Sequence, residues 1–209
     1  MLAIALLSLS ADAANPAQVF TALQSSSGWS GATTNDGVTV SQKSVSGLSV
    51  PAFKGTRTVD VTCEAYFAAV SDPARHKSVN KMLRESGVVS RSGNSVVFYQ
   101  VVDLPLISDR YWINKAVNET NVGGITGHYR QTWYAMSKDD YPTVRDAVED
   151  KYGAVFTPIN YGMWDLAPTS DGGCTVTYAA ISDPGGSVPG GAASWASEKS
   201  LPDNINSFY

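Results

Sequence analysis

The sequence predicts an α+β domain in which a long antiparallel sheet curls around a C-terminal helix. Two observations support this prediction. From about residue 88 onward the chain is rich in strand-forming segments separated by glycine-containing turns, and helix-like segments lie before and after this run. Helices grouped on one side of an antiparallel sheet define the α+β class. A sheet with this many strands must curl to protect its edges, which leaves a concave interior beneath the last helix.

Length and composition indicate one globular domain with a large core. The chain has 209 residues, of which 43% are hydrophobic and 16% are charged. The charged fraction lies below the usual value of roughly 25%, which indicates extensive internal or ligand-facing surface. The net charge is -4 and the chain has no basic run. It therefore lacks the clustered lysines and arginines of a nucleic-acid-binding surface.

Residues 1–14 form a short apolar run that ends in small residues, and Ala11-Asp-Ala13 matches the cleavage pattern of a secretory signal peptide. The positively charged start of such a peptide is missing, so either the numbered start is internal or the match is accidental. A packed N-terminal helix is the alternative, but the run shows no polar face. We interpret 1–14 as a signal-peptide remnant and 15–209 as one domain. We expect a periplasmic or secreted location, with a cytoplasmic one as the alternative.

The first third of the chain predicts three helices and two strands. Residues 16–23 place apolar side chains at helical spacing. Residues 38–45 and 53–61 alternate in polarity or are β-branched, as is typical of strands. Two further helices are predicted over residues 62–71 and 74–83.

The remainder of the chain predicts mainly strands. Residues 138–151 are acidic and helix-like without a strong apolar stripe, so we interpret them as a surface loop with one or two helical turns. Pro189 suits the first turn of a helix and begins the predicted terminal helix. The predicted strands cover residues 88–90, 95–102, 111–119, 128–136, 154–166 and 174–182.

Four stretches resemble consecutive parts of one known family. Phe53-Lys-Gly-Thr-Arg57 resembles its second strand, and Leu104–Trp112 resembles the loop and strand that follow its first cavity-lining hairpin. Tyr178–Pro189 resembles the approach to its closing helix, and Ala193–Asp203 resembles the body of that helix. The family is START, the StAR-related lipid transfer domains of the Bet v 1-like (SRPBCC) superfamily, in particular its bacterial members. The resemblance covers residues 16–209.

This resemblance implies a helix-grip fold that holds one hydrophobic ligand, such as a lipid, a sterol or a fatty-acid-like molecule, for transport or sequestration. Sterol-binding members carry a buried arginine where this chain has Ala116, which weakens the case for a sterol. Gly190-Gly-Ala-Ala193 departs from the family's pattern, and glycine costs up to about 1 kcal/mol in a helix interior. The closing helix would then fray or begin later.

The resemblance also implies a gate formed by the C-terminal helix and by the loop before Arg110. Apolar side chains on this loop would meet a lid or a membrane surface, or would pack against the last helix. We expect the adjacent Asp109 and Arg110 to anchor the loop electrostatically. The predicted gating and lid residues are Leu104, Leu106, Ile107, Pro189 and Trp195.

Polar and aromatic residues on the strands are candidates for contact with the ligand. Trp112, Asn114 and Asn118 share one strand face, and we expect that face to point inward, where Asn114 would hydrogen-bond the ligand. Arg130 would pair either with a lipid phosphate or carboxylate or with a cross-strand acid. The predicted ligand-binding residues are Tyr99, Trp112, Asn114, Arg130, Trp133, Tyr161, Trp164 and Tyr178.

Two other classes of function remain as alternatives. Polyketide aromatase/cyclases share the fold, but catalysis would need a general acid or base in the cavity. The histidines are His76 and His128, and neither belongs to a catalytic triad or a metal-spaced set. We therefore predict no enzymatic activity, no catalytic residue, no metal and no cofactor. An interaction domain with a pocket filled by side chains is the second alternative.

The chain has two cysteines, Cys63 and Cys174, which lie far apart in the sequence. Cys63 and Cys174 could pair in an exported protein, but we favour two buried thiols because the sequence does not show proximity. We expect a monomer whose partner is a lipid or another hydrophobic small molecule. We also expect transient contact with a membrane surface and no nucleic-acid partner.

Overall fold

The computed structural model describes residues 15–104, 107–184 and 200–209. The helices are α1 (Pro16–Gln24), α2 (Cys63–Val70), α3 (Pro73–Val79), α4 (Pro142–Tyr152) and α5 (residues 200–206). The strands are β1 (Ser30–Asn35), β2 (Val38–Lys43), β3 (Ala52–Val59), β4 (Leu83–Ser92), β5 (Ser95–Val102), β6 (Arg110–Thr120), β7 (Tyr129–Ala135), β8 (Val155–Phe156), β9 (Ile159–Pro168) and β10 (Cys174–Asp183).

The strands form one curved sheet of ten in the order β1-β2-β3-β10-β9-β7-β6-β5-β4. All neighbours on this path are antiparallel, and β8 adds a short parallel pairing with β6. The last strand, β10, lies between β3 and β9, so it joins the N-terminal strands to the central ones. The predicted α+β helix-grip class is confirmed.

The helices cover both faces of the sheet. On the concave face, α2 and α5 contribute Tyr66, Val70 and Ile205 to the main core. On the opposite face, α1 packs against β9 and β10, and α4 packs against β5 and β6. The main core and the C-terminal helix therefore both lie on the concave face.

Several elements differ from the prediction. Helix α3 ends at Val79 and β4 begins at Leu83, whereas the sequence predicted a helix up to residue 83 and a strand from residue 88. The strand predicted over residues 154–166 is divided into β8 and β9.

Strand β1 was not predicted, because its residues Ser-Gly-Ala-Thr-Thr-Asn show no apolar alternation and all are exposed. The interpretation of residues 138–151 as a surface loop with one or two helical turns underestimated the helix, because Pro142–Tyr152 form a helix of 11 residues. A single fully buried residue, Val148, packs with Tyr111 and Ile113, so its apolar stripe is too narrow to detect in the sequence.

Cys63 and Cys174 form a disulfide, so the interpretation as two buried thiols is wrong. The pairing of β10 with β3 places Cys174 opposite Val59, and a short connection then leads to Cys63 at the start of α2. The two Cα atoms lie 5.0 Å apart across a sequence separation of 111 residues. This proximity depends on a long-range strand pairing that the sequence alone did not show.

Several predictions fall on parts of the chain outside the described residues. These are the signal-peptide remnant at residues 1–14 and the gating and lid residues Leu106, Pro189 and Trp195. None of the helices among the described residues has the length and apolar character needed to cross a membrane.

Candidate functional site

The concave face is defined by alternate residues of the central strands. In β6 these are Trp112, Asn114 and Ala116, and strand register places Asn114 opposite both Phe98 and Ala135. In β7 and β9, Trp133 lies opposite Gly162, which in turn lies opposite Ala180 of β10. The period-two alternation of each strand keeps these side chains on one side of the sheet.

One half of the concave face is filled by aromatic rings beneath α5. The ring of Trp164 lies 4.5 Å from that of Tyr178, 5.9 Å from Tyr66 and 5.7 Å from Phe208, measured between centroids. The Tyr66 hydroxyl donates a hydrogen bond of 2.7 Å to the carbonyl oxygen of Ile205 in α5. The C-terminal helix is therefore seated on this half by apolar packing and by a buried hydrogen bond.

The other half carries a buried polar cluster made of Asn114, Trp133 and Asn160. The Nε1–H of Trp133 donates to Oδ1 of Asn160 at 2.9 Å, and Nδ2 of Asn114 donates to the same oxygen at 3.2 Å. Asn114 is 1% exposed and Asn160 is 7% exposed. The Oδ1 atom of Asn114 is buried and has no hydrogen-bond partner among the residues that the structure describes.

A second polar chain runs from Trp112 to α2. Its indole N–H donates to Oε1 of Gln100 at 3.1 Å, and Nε2 of Gln100 lies 2.8 Å from Nδ1 of His76. Nε2 of His76 lies 3.0 Å from the carbonyl oxygen of Val70, which only accepts, so His76 carries its proton on Nε2. Burial lowers the pKa of His76 below its ordinary value. Both ring nitrogens are thus engaged in a neutral imidazole.

The structure brings five of the predicted ligand-binding residues to the concave face. It places two, Trp112 and Asn114, on the half with the polar clusters, and two, Trp164 and Tyr178, in the aromatic half. Trp133 joins the halves, because its indole bonds Asn160 while its ring lies 5.5 Å from Tyr178.

Three predicted residues lie on the opposite face, so we leave them out of the site. Tyr99 donates to Glu85 at 2.5 Å, and Tyr161 packs edge-on against Phe20 of α1. Arg130 forms an ion pair with Asp165, with both Nε and Nη2 at 2.6 Å from Oδ2. Of the two partners expected for Arg130, the structure shows the acid on the neighbouring strand. The residues before and after Arg130 in β7 point to the concave face, so Arg130 points away from it.

Arg110 ties the loop before β6 to the end of β10. Arg110 is 4% exposed, and its guanidinium donates to the carbonyl oxygens of Ser108, at 2.5 Å, and of Pro184, at 2.6 Å. Asp109 also holds this loop, as expected. Its carboxylate forms an ion pair with Nε of Arg84 at 2.6 Å, which links the loop to β4. Leu104 and Ile107 on the same loop are half-buried.

Sequence reasoning missed Asn160 and Gln100. Asn160 could have been found, since it shares a period-two face with Gly162 and Trp164 in the strand predicted over residues 154–166. Gln100 could not, because its contact with His76 joins a strand to a helix 24 residues earlier in the chain. Among the described residues, no cluster of histidine, cysteine and acidic side chains is placed to hold a metal ion.

The fold is shared with solved structures, although no known family model and no curated protein sequence match the chain. A STAR-related lipid transfer protein from Xanthomonas axonopodis is 23% identical, with a TM-score of 0.68 over 87% of this chain and 94% of that one. Human StAR-related lipid transfer protein 5 is 15% identical, with a TM-score of 0.74 over 92% and 88% of the two chains.

An enzyme also has a similar architecture. The Zhui aromatase/cyclase from a Streptomyces species is 10% identical, with a TM-score of 0.52 over 75% of this chain and 90% of the enzyme. At these identities the similarity establishes the fold alone. The chain thus has the helix-grip fold of the START domains, whose solved examples include lipid transfer proteins.

Proposed function

We propose that this chain, with its START helix-grip fold, binds one hydrophobic molecule on the concave face and carries or sequesters it. The observation that carries the proposal is the composition of that face near Trp112, Asn114 and Trp133. Large apolar rings surround a few oriented polar groups there, as in small-molecule sites generally. Binding would be driven by removing apolar ligand surface from water, at about 25 cal/mol per Å².

The contacts that hold α5 on the body of the domain support a role for this C-terminal helix as a lid. Its described contacts with the body are side-chain contacts, including the bond from Tyr66 to Ile205 and a bond of 3.1 Å from Asn80 to Asn204. Contacts of this kind form and break reversibly without rearranging the sheet. We propose that ligand exchange occurs when this helix and the loop of residues 104–109 move away from the concave face.

The state of the histidines favours a binding protein over a cyclase. His76 is engaged at both ring nitrogens, and burial lowers its pKa, so it has no free position from which to act on a ligand. His128 bonds Asp165 at 2.8 Å, on the side of the sheet where Arg130 lies. The fold shared with an aromatase/cyclase keeps cyclisation as the alternative to test.

The disulfide supports the proposal that the protein is exported, to the periplasm or outside the cell. Structural disulfides persist in oxidising compartments and are rare in a reducing cytosol. Thiol trapping of the protein in its native cells, followed by intact mass measurement, tests this. Unlabelled Cys63 and Cys174 are expected before reduction. Labelling of both cysteines without reduction would contradict export.

The primary test is native mass spectrometry of the gently purified full chain, followed by organic extraction and lipid analysis. We expect one hydrophobic molecule per monomeric chain. The Trp112→Ala variant should lose most of this ligand, whereas Trp29→Ala, which alters a tryptophan packed with the core on the opposite face, should keep it. An empty protein that also fails to take up lipid from vesicles would contradict the proposal, and a screen of polyketide substrates would then test the cyclase alternative.

A further inference from the structure

We infer that the polar end of the ligand is a neutral hydrogen-bond donor, such as a hydroxyl or an amide N–H, and that it contacts Oδ1 of Asn114. This inference rests on the proposed function and specifies the chemistry of its ligand. It follows from the orientation of the buried cluster of Asn114, Trp133 and Asn160.

The indole of Trp133 fixes the orientation of both amides. An indole N–H only donates, so the atom of Asn160 that lies 2.9 Å from it must be the amide oxygen. The atom of Asn114 that approaches the same oxygen at 3.2 Å must then be its amide nitrogen. Exchanging the two ends of the Asn114 amide would bring two oxygens into contact. The free atom of Asn114 is therefore its oxygen, an acceptor.

This acceptor is buried and unsatisfied. Asn114 is 1% exposed, and its Oδ1 has no partner in the part of the chain that the structure describes. Proteins keep few buried polar atoms without a hydrogen bond, because each has lost its bonds to water. A donor supplied by the ligand would satisfy this oxygen and would explain why an asparagine lies among apolar rings.

The charges on this face also favour a neutral ligand. An anionic group would meet the amide oxygen of Asn114 with like partial charge, so it would need a cation nearby. Two arginines on the concave face are already engaged. Arg110 donates to the carbonyl oxygens of Ser108 and Pro184, while Arg57 bonds Asn206 and stacks on the ring of Tyr209. Phosphate and carboxylate headgroups are thus disfavoured relative to an uncharged donor.

The test compares three probes with one chain length, namely hexadecanol, its methyl ether and hexadecanoate, by titration calorimetry in detergent-free buffer. The ether keeps the apolar chain and the oxygen but cannot donate. We expect hexadecanol to bind roughly tenfold more tightly than the ether, as the loss of one buried hydrogen bond predicts, and also more tightly than hexadecanoate.

Variants assign the preference to one atom. Asn114→Leu removes the acceptor and should bring the alcohol and the ether to equal affinity. Asn118→Leu is the matched control on the same strand face, and it should keep the preference because Oδ1 of Asn118 already accepts from Gln131 at 2.8 Å. Trp133→Phe is a second variant that frees the Asn160 amide to turn, and it should reduce the preference while retaining the ring.

The outcomes separate the inference from the proposed function. Equal binding of alcohol and ether by the unaltered chain, tighter binding of hexadecanoate, or an alcohol preference that survives in Asn114→Leu would each overturn the inference while leaving a hydrophobic ligand in place. Failure of all three probes to bind would contradict the proposed function, and the inference with it.

Discussion

Gly162 leaves the space that the indole ring of Trp133 occupies. A Cβ atom at position 162 would lie 2.1 Å from Cζ2 of Trp133, far inside van der Waals contact. The two residues are direct cross-strand partners of β9 and β7. The absence of a side chain at position 162 therefore allows the indole to lie across the sheet and reach Asn160.

The first prediction is that Gly162→Ala displaces the indole of Trp133 and breaks its bond to Asn160. We expect a loss of about 1–3 kcal/mol in the free energy of unfolding, since overpacking forces side chains from their preferred positions. Urea denaturation measures this loss. The alcohol preference assigned to Asn114 should also fall.

Gly87→Ala is the control for this change. A Cβ there would meet the ring of Tyr99, at 2.5 Å, on the face of the sheet away from the proposed site. It should lower stability without altering ligand preference. If both alanine variants change the preference equally, the effect of Gly162 is a general loss of stability.

A second prediction concerns the seat of the C-terminal helix. Tyr66→Phe keeps the ring against Trp164 but leaves the carbonyl of Ile205 without the tyrosine hydroxyl. We expect a loss of about 1 kcal/mol, with faster hydrogen exchange in residues 200–209. Tyr209→Phe removes an exposed bond to Asp60 beyond the end of α5, and it should leave hydrogen exchange within α5 nearly unchanged. Unaltered exchange in Tyr66→Phe would show that this hydroxyl does not hold the helix.

The third prediction is that the disulfide between Cys63 and Cys174 stabilises the folded protein. Replacing both Cys63 and Cys174 with alanine removes a cross-link that spans 111 residues of the chain. The free energy of unfolding should fall by about 2–5 kcal/mol, because the unfolded chain regains the freedom that the link removes. Adding a reductant should destabilise the unaltered protein and leave the double variant unchanged. A reductant effect of equal size in both proteins would contradict this assignment.

The fourth prediction follows from His76. Burial lowers its pKa in the folded state below the ordinary value of 6.5. In the unfolded chain the imidazole takes up a proton more readily, so the folded state loses relative stability as the pH falls through 6.5. Unfolding free energies at about pH 7.5 and about pH 5.5, on either side of the ordinary histidine pKa, measure this effect.

His76→Gln is the matched variant for this pH dependence. A glutamine can donate to the carbonyl of Val70 and accept from Gln100, but it does not titrate. The decrease in stability between the two pH values should be smaller in this variant. An undiminished decrease would mean that other groups cause it.

The fold was largely predictable because its signals are local. Apolar spacing predicted the helix at residues 16–23, and alternation predicted most strands within a few residues of their observed bounds. The exceptions, β1 and α4, lack such a signal. The exposed residues of β1 show no alternation, and α4 buries only Val148 fully. Strand β1 is held by its pairing with β2, and α4 is held by its packing on β5 and β6. The local sequence does not reveal either contact.

The candidate site was predictable only in part. The two-residue alternation of a strand correctly placed Trp112 and Asn114 on one face. It did not show that Tyr99, Arg130 and Tyr161 lie on the opposite face. Helices cover both faces of this sheet, so an aromatic or an arginine side chain suits either one.

By itself, the sequence determined the class of fold and which residues of one strand share a face, but not which face points inward. Only the tertiary structure decided that Cys63 meets Cys174, that Asn160 joins Asn114, and that His76 is engaged at both nitrogens. Apart from the contact of His76 with Val70, each of these contacts connects segments at least 24 residues apart in the chain. Alternation and spacing describe neighbours along one strand or helix, whereas the partner across the sheet is chosen by the register and packing of the whole domain.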